Sequence, residues 1–210
     1  KKNHYLKVYL LITLIIIIIF SSLVINRINT NKQIHNDPLD ITLSQLNLSL
    51  VNKNQDISKQ NTIDEIKNII MNHKSNLIVF SENDFPYIVK NLNQFDIIQD
   101  IIKENQTVII GGTRKNNMKY YNTLFLIKKN GIQEYDKTKL VPFGEFLPFR
   151  KYLSLFKIIV GENDYSKGTK SRHINISNDL NIIPIICYEI VFFKNLLDKN
   201  NFKNNLLVNI

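Results

Sequence analysis

The sequence contains a single cysteine, Cys187, which excludes an intramolecular disulfide framework and any multi-cysteine zinc site. Six glycines and five prolines among 210 residues are too few for a collagen-like or linker protein. The four histidines, His4, His35, His73 and His173, have neither metal-ligand spacing nor a partnering acid cluster, so no metal is expected. No serine stands in a G-x-S-x-G elbow, and Gly111-Gly112 is not followed by the G-K-[ST] of a phosphate loop. Acidic residues are missing from positions 1–36, where Lys1, Lys2, Lys7, Arg27 and Lys32 are the charged groups. More than half of the +9 net charge therefore flanks one stretch, and the remainder, 22 basic against 18 acidic residues, argues against nucleic acid as a partner.

That stretch is apolar. Val8 to Ile25, VYLLITLIIIIIFSSLVI, carries no charge. As a helix at about 1.5 Å per residue it is roughly 27 Å long, close to the thickness of a bilayer core. Ser21-Ser22 makes a poor signal-peptidase site, so residues 1–25 read as a retained transmembrane helix with a basic N-terminal flank. Three basic residues before the run and two after it place the N-terminus in the cytoplasm and export the remainder. A first residue of Lys rather than Met reads as a start within a longer protein. Residues 26–37 are polar and aperiodic, a tether to a domain over 38–210.

Within that domain strands and helices alternate. Ile41 to Leu46 alternates as a strand, and Leu77–Phe80 is a short apolar run expected of a buried one. Ile63, Ile66, Ile69 and Ile70 recur at helical spacing behind Asn61-Thr62, which predicts a cap there. Leu92, Phe95, Ile98, Ile101 and Ile102 form a second helical stripe. Thr107–Ile110 reads as a strand stopped by Gly111-Gly112. Asn122–Ile127 and Ile132–Tyr135 flank Asn130-Gly131, a hairpin signal that puts Lys128-Lys129 at a solvated tip. Ile182–Ile186 is a strand that leads into Cys187. Leu206–Ile210 is another, ending without turn, cap or polar tail, which predicts a chain cut inside its core. The pattern is α/β, a sheet covered by helices.

Three reactive groups stand at or just past strand ends: Glu82 after Leu77–Phe80, Lys137 after Ile132–Tyr135, and Cys187 after Ile182–Ile186. Taken singly, a glutamate or lysine in a loop is usually solvated and a lone cysteine is usually a small buried hydrophobe. Taken together, the three can converge on one edge of an α/β sheet. A cysteine at a strand-to-helix junction also has backbone donors at hand to stabilise an oxyanion.

The strings around them are distinctive: Asn76-Leu-Ile-Val-Phe-Ser-Glu82-Asn-Asp-Phe-Pro86, Tyr135-Asp-Lys137-Thr-Lys-Leu-Val-Pro-Phe-Gly-Glu145-Phe-Leu-Pro148 and Ile185-Ile-Cys187-Tyr-Glu189-Ile-Val-Phe192. In order and spacing they resemble the Glu–Lys–Cys motifs of the nitrilase (carbon–nitrogen hydrolase) superfamily. The Asp136-Lys-Thr-Lys-Leu-Val-Pro-Phe-Gly-Glu-Phe-Leu-Pro148 string is most similar to the apolipoprotein N-acyltransferase branch. Asn122-Thr-Leu-Phe and Tyr165-Ser-Lys-Gly168 look like features of the same branch. The resemblance covers about residues 38–210. It implies a nitrilase-like α-β-β-α sandwich, incomplete at its C-terminus and preceded by one transmembrane helix.

The resemblance further implies Cys187 as nucleophile, Glu82 as general base, and Lys137 with the backbone N–H of Tyr188 as oxyanion donors. Glu145 is implied as a supporting acid and Glu189 as a residue that helps organise the site, with no cofactor. The implied reaction takes an acyl chain from a phospholipid, through a cysteine thioester, to the N-terminal amine of a lipoprotein. Its place is the bacterial inner membrane, with the domain facing the periplasm. Two departures stand beside Glu82: Ser81, where the branch usually has Pro, and Asn83, where it has a small or hydroxyl residue. Because the branch carries further helices and strands on both sides, two other readings remain open. One is an inactive membrane-anchored remnant, or half of a split enzyme completed by a second chain. The other is an amidase of the wider superfamily.

Overall fold

The strands that alternate or run apolar in the sequence assemble into two sheets, seen here in a computed structural model. It describes residues 11–24, 39–46, 56–148, 164–169, 174–177, 180–192 and 205–210. The chain divides into two units, Lys1–Pro38 and Leu39–Ile210. In the first, residues 11–24 form helix α1. Among the described residues no helix is long and apolar enough to cross a membrane. The expected span, Val8–Ile25, extends outside the described residues at both ends.

The second unit has a five-stranded sheet ordered β1-β2-β3-β4-β5, formed by β1 (Ile41–Ser44), β2 (Leu77–Phe80), β3 (Thr107–Asn116), β4 (Lys119–Lys128) and β5 (Gly131–Asp136). The first three strands are parallel, and β3, β4 and β5 then alternate in direction. A second sheet, β6-β7-β8, comprises Ile174–Asn175, Asn181–Ile185 and Asn205–Asn209, with β7 parallel to β8. Two-residue alternation sends Ile78, Phe80, Val108, Ile110, Phe125 and Ile127 to one face of the large sheet. There they pack on Ile63, Ile66 and Ile70 of helix α2 (Asp56–Asn72) and on Phe95, Ile98 and Ile102. Leu77, Val79, Ile109, Leu124, Leu126 and Tyr135 face the other way, against Ile182 and Val208 of the second sheet and Ile186 just past β7. The result is a helix layer on a sheet on a second sheet, a nitrilase-like α/β arrangement.

Four local expectations need correction. Helix α2 runs through Asn61-Thr62 rather than starting there: the Thr62 hydroxyl donates to the Ser58 carbonyl at 2.9 Å and the side chain is buried, so it serves the helix interior. The stripe from Leu92 to Ile102 is a 3-10 turn, Leu92–Phe95, followed by the single-turn α3, Asp96–Gln99. The hairpin tip is docked rather than solvated. Lys129 Nζ donates to the carbonyls of Gln99 and Asp100 at the end of α3, and Lys128 Nζ donates to those of Asn175 and Ile176.

Gly111-Gly112 does not stop β3, which continues to Asn116. The glycines instead let a loop cross the strand. A Cβ on Gly111 would stand 2.8 Å from Glu82 Cα and 2.9 Å from Asn83 N. The Gly111 N–H donates to the Ser81 carbonyl at 3.2 Å, and its carbonyl accepts from Phe85 N at 3.0 Å. Gly111→Ala is expected to cost about 1–3 kcal/mol through this overpacking. Gly131→Ala, where a Cβ meets nothing within 4 Å, should be near neutral. Urea denaturation of the two variants measures the difference.

Candidate active site

β5 runs parallel to β2, so the residues that follow the two strands leave the large sheet at the same edge. Glu82 sits in the turn after β2. Ser81 donates to Asp84 Oδ2 through both its backbone N–H, at 2.8 Å, and its hydroxyl, at 2.7 Å. Asn83 has φ 60, a left-handed conformation that asparagine tolerates better than most residues. The two departures beside Glu82 therefore support each other: a proline at 81 would lack the N–H that ties the turn to Asp84.

Lys137 follows β5. It is 1% exposed, not a solvated loop lysine. Its Nζ lies 2.8 Å from Glu145 Oε1 and 3.5 Å from Glu82 Oε1. Its backbone is held on both sides: Lys137 N donates to the Asn122 carbonyl, and the Lys137 carbonyl accepts from Gly168 N. A Cβ on Gly168 would collide with the Asp136 carbonyl, so the segment passes only as glycine. Asp136 is anchored by Arg114, Nε to Oδ1 at 3.0 Å and Nη2 to Oδ2, and by the Thr123 hydroxyl at 2.7 Å. Glu145 Oε2 accepts from Val141 N at 2.9 Å, which fixes the Pro142–Gly144 turn around the carboxylate.

Cys187 ends the β7 segment on a sharp turn with φ 50 and opens a 3-10 helix, Cys187–Phe192. That conformation is costly for a residue with a Cβ, and the surroundings impose it. Cys187 N donates to the Ile210 carbonyl at 2.6 Å, while Ile210 N donates to Ile185 O at 3.1 Å. Glu189 is fully buried. Its carboxylate accepts from Thr138 N, Lys139 N, Ile186 N, the Thr138 hydroxyl and the Tyr135 hydroxyl. It thus joins the loop that carries Lys137 to the turn that carries Cys187. The Tyr188 side chain, by contrast, is half exposed.

The electrostatics follow from these contacts. Burial alone would lower the Lys137 pKa. The hydrogen bond to Glu145 and the charges of Glu82 and Glu145 outweigh it and hold the ammonium above the ordinary 10.5. Burial pushes the Cys187 thiol above 9.0, and the charge of Glu82 and its hydrogen bond to the thiol add to the shift. The charge of Lys137 and the Tyr188 N–H act in the opposite sense. Glu82, Lys137, Glu145 and Cys187 are therefore in electrostatic or hydrogen-bonding reach of one another, and Glu189 and Tyr188 adjoin them. Position at strand ends had not singled out Asn122, on β4, which donates from Nδ2 to both Glu82 and Glu145. Nor had it marked Arg114 and Asp136. The available signal was a polar pair, Asn122-Thr123, buried within an otherwise apolar strand.

Two outcomes are expected. A raised lysine pKa means that the Lys137 pairing stabilises the fold fully below about pH 10.5 and loses that contribution as pH rises through the shifted value. Lys137→Met should therefore cost about 3 kcal/mol at pH 7, by stranding the carboxylates, with the deficit shrinking at strongly alkaline pH. Chemical denaturation against pH checks this. Cys187 alkylation by iodoacetamide should keep accelerating above pH 9.0. Glu82→Gln should move that profile down, since it removes the charge and the hydrogen bond that hold the thiol protonated.

An apolipoprotein N-acyltransferase of Rhizobium leguminosarum is 37% identical over 131 residues, 57% of this chain and 24% of that protein. One from Helicobacter pylori is 31% identical over 134 residues, 62% of this chain and 31% of that protein. The chain thus spans about a quarter to a third of the length of these relatives. A crystal structure of a CN-hydrolase superfamily protein from Xanthomonas campestris is 15% identical and covers 72% of this chain and 59% of its own, with a TM-score of 0.49. Residues 41–209 match the carbon–nitrogen hydrolase family, nearly the whole of the second unit. The chain belongs to the carbon–nitrogen hydrolase family, a family of enzymes.

Proposed function

We propose that Glu82, Lys137 and Cys187 form the catalytic centre of an N-acyltransferase that modifies lipoproteins. The observation that carries this reading is the meeting of a thiol, a carboxylate and a buried ammonium: Glu82 lies 3.5 Å from Lys137 Nζ, and the charges of both bear on the Cys187 thiol. The names of the relatives and the Val141-Pro-Phe-Gly-Glu145 turn support the choice of reaction.

In the first half-reaction the Cys187 sulfur attacks the ester carbonyl of a phospholipid and gives its proton to Glu82. The tetrahedral oxyanion is stabilised by Lys137 Nζ and the Tyr188 N–H. Collapse forms the thioester and breaks the ester C–O bond, and Glu82 returns the proton to the leaving glycerol oxygen. In the second half-reaction the α-amine of a diacylglyceryl-cysteine N-terminus attacks the thioester. Glu82 takes the amine proton and delivers it to the departing sulfur, leaving an amide and a restored thiol. Glu145 keeps Lys137 charged and in place, and Glu189 holds the two loops together.

On this reading residues 1–25 are a transmembrane helix, 26–37 a tether and 38–210 a domain on the periplasmic side of a bacterial inner membrane. The charge-free run from Val8 to Ile25 and the exposed apolar side chains along α1 support the anchor. Anchoring raises the effective concentration of two lipid substrates at one site. The family match favours a second reading, hydrolysis, in which water takes the acyl group from the same thioester.

The test is to incubate the chain in detergent with a phospholipid carrying a labelled acyl chain. A hydroxylamine-labile adduct on Cys187 is expected, absent from Cys187→Ala. Glu82→Gln should accumulate it about 10²-fold more slowly or worse, even though its thiol alkylates faster. Transfer of label to a diacylglyceryl-cysteine peptide supports acyl transfer, release as free fatty acid supports hydrolysis, and an adduct persisting in Cys187→Ala removes the nucleophile assignment.

A further inference from the structure

The candidate site contains a polar group that the proposed chemistry does not use. Asn122 is 2% exposed, on β4 at the strand edge where the Glu82 and Lys137 loops emerge. Its amide has two hydrogens and both are committed: Nδ2 lies 2.6 Å from Glu82 Oε1 and 2.9 Å from Glu145 Oε1. Its backbone carbonyl accepts from Lys137 N at 2.8 Å. One residue therefore contacts both carboxylates and the backbone of the lysine they share.

The orientation of the amide is fixed by its neighbours. A flipped side chain would present oxygen to two carboxylates, so nitrogen must face them. The consequence is that Oδ1 is buried without a partner among the described residues. An orphan buried acceptor costs free energy, and an apolar residue of the same shape would avoid that cost. A leucine would suit the apolar surroundings of β4, where Leu124, Phe125, Leu126 and Ile127 are all buried. The one local return on an amide at this position is donation to the two carboxylates.

We infer that Asn122 is a positioning residue for the Glu82–Lys137–Cys187 centre, a neutral double donor that holds Glu82 and Glu145 side by side while they share Lys137. Without it, two carboxylates would compete for one ammonium. With it, each carboxylate has a second donor that carries no charge, so Glu145 retains the 2.8 Å bond to Lys137 and Glu82 remains close to the thiol. The groups that face Cys187 electrostatically are Glu82 and Lys137, and Glu145 acts through Lys137. Donation from Asn122 disperses the Glu82 charge, which is the charge that holds the thiol protonated. Removing the donor should therefore hold the thiol protonated to higher pH.

The inference rests on Cys187 being part of this centre, and its test reads the thiol directly rather than acyl transfer. Cys187 is the only cysteine, so iodoacetamide alkylation of the full chain in detergent reports on it alone. Asn122→Leu and Asn122→Asp should both move the midpoint of the alkylation profile upward by about one pH unit, about tenfold slower alkylation below the midpoint. Gln106→Leu is the control. Gln106 is also a buried amide with an orphan oxygen, but it lies just before β3, whose first residue, Thr107, is at the opposite edge of the sheet. It should change stability and leave the profile in place. Profiles unchanged in the folded Asn122 variants, or loss of folding in both, would reduce Asn122 to a structural residue and overturn the inference. An adduct assay that fails while the alkylation shift holds would sink the acyltransfer reading and leave this one standing.

Discussion

A buried ammonium sets the terms for the rest of this fold. Lys137 is enclosed, and taking its charge out of water is unfavourable by several kcal/mol unless opposite charge and hydrogen bonds surround it. The surroundings supply both: Glu145 at 2.8 Å and Glu82 at 3.5 Å. Each of those carboxylates needs a fixed backbone to remain within reach, and that requirement runs outward through the structure. Val141 pins Glu145, the Ser81–Asp84 turn pins Glu82, and the Arg114–Asp136 pair fixes the residue immediately before Lys137. Arg114 stacks on Tyr121, so this anchor is itself packed rather than free in solvent.

The sheet topology makes the convergence possible. Glu82 and Lys137 are 55 residues apart yet emerge on one edge, because the antiparallel steps β3-β4-β5 return the chain to the direction of β2. Cys187 comes from the other sheet, so something must hold the two sheets in register at this edge. Apolar packing between them supplies most of the adhesion but little angular precision, since apolar contact is non-directional. The Glu189 carboxylate supplies direction: its acceptor atoms bind donors from the Lys137 loop on one side and from Ile186 on the other. The Ile210 carbonyl then holds Cys187 N in a turn that a residue with a Cβ would otherwise avoid.

Strand alternation, the buried run Leu77–Phe80, the Asn130-Gly131 hairpin and the strand leading into Cys187 were legible because each depends on local pattern. The three reactive groups were legible for the same reason, as polar residues at the ends of apolar runs. What escaped depends on contacts between distant segments. Gly111 looks like a strand terminator until the Glu82 loop is seen crossing it. Lys128 and Lys129 look solvated until their carbonyl partners, 29 residues and more away, are known. Asn122 stands out in the sequence only through the resemblance of Asn122-Thr-Leu-Phe to the branch, because nothing around it reveals two glutamates from other loops.

The same contacts explain why two glutamates are present where one base would serve. Before reaction the centre holds two carboxylates, one ammonium and a neutral thiol, a net charge of minus one. Ionising the thiol into solvent would add a second negative charge beside Glu82, and the Cys187 pKa is raised by burial first and by that opposition second. Passing the proton to Glu82 leaves the total unchanged, so the nucleophile forms most easily when proton transfer and attack occur together. In the proposed reaction the negative charge would then move from Glu82 through sulfur to the carbonyl oxygen, against Lys137. For Lys137 to receive it, the ammonium must keep its proton, and Glu145, bonded at 2.8 Å, is the partner that the proposed proton transfer does not involve. On the proposed reaction one carboxylate would carry the mobile proton while the other secures the fixed one; a centre with a single glutamate would have to give up the second role to perform the first.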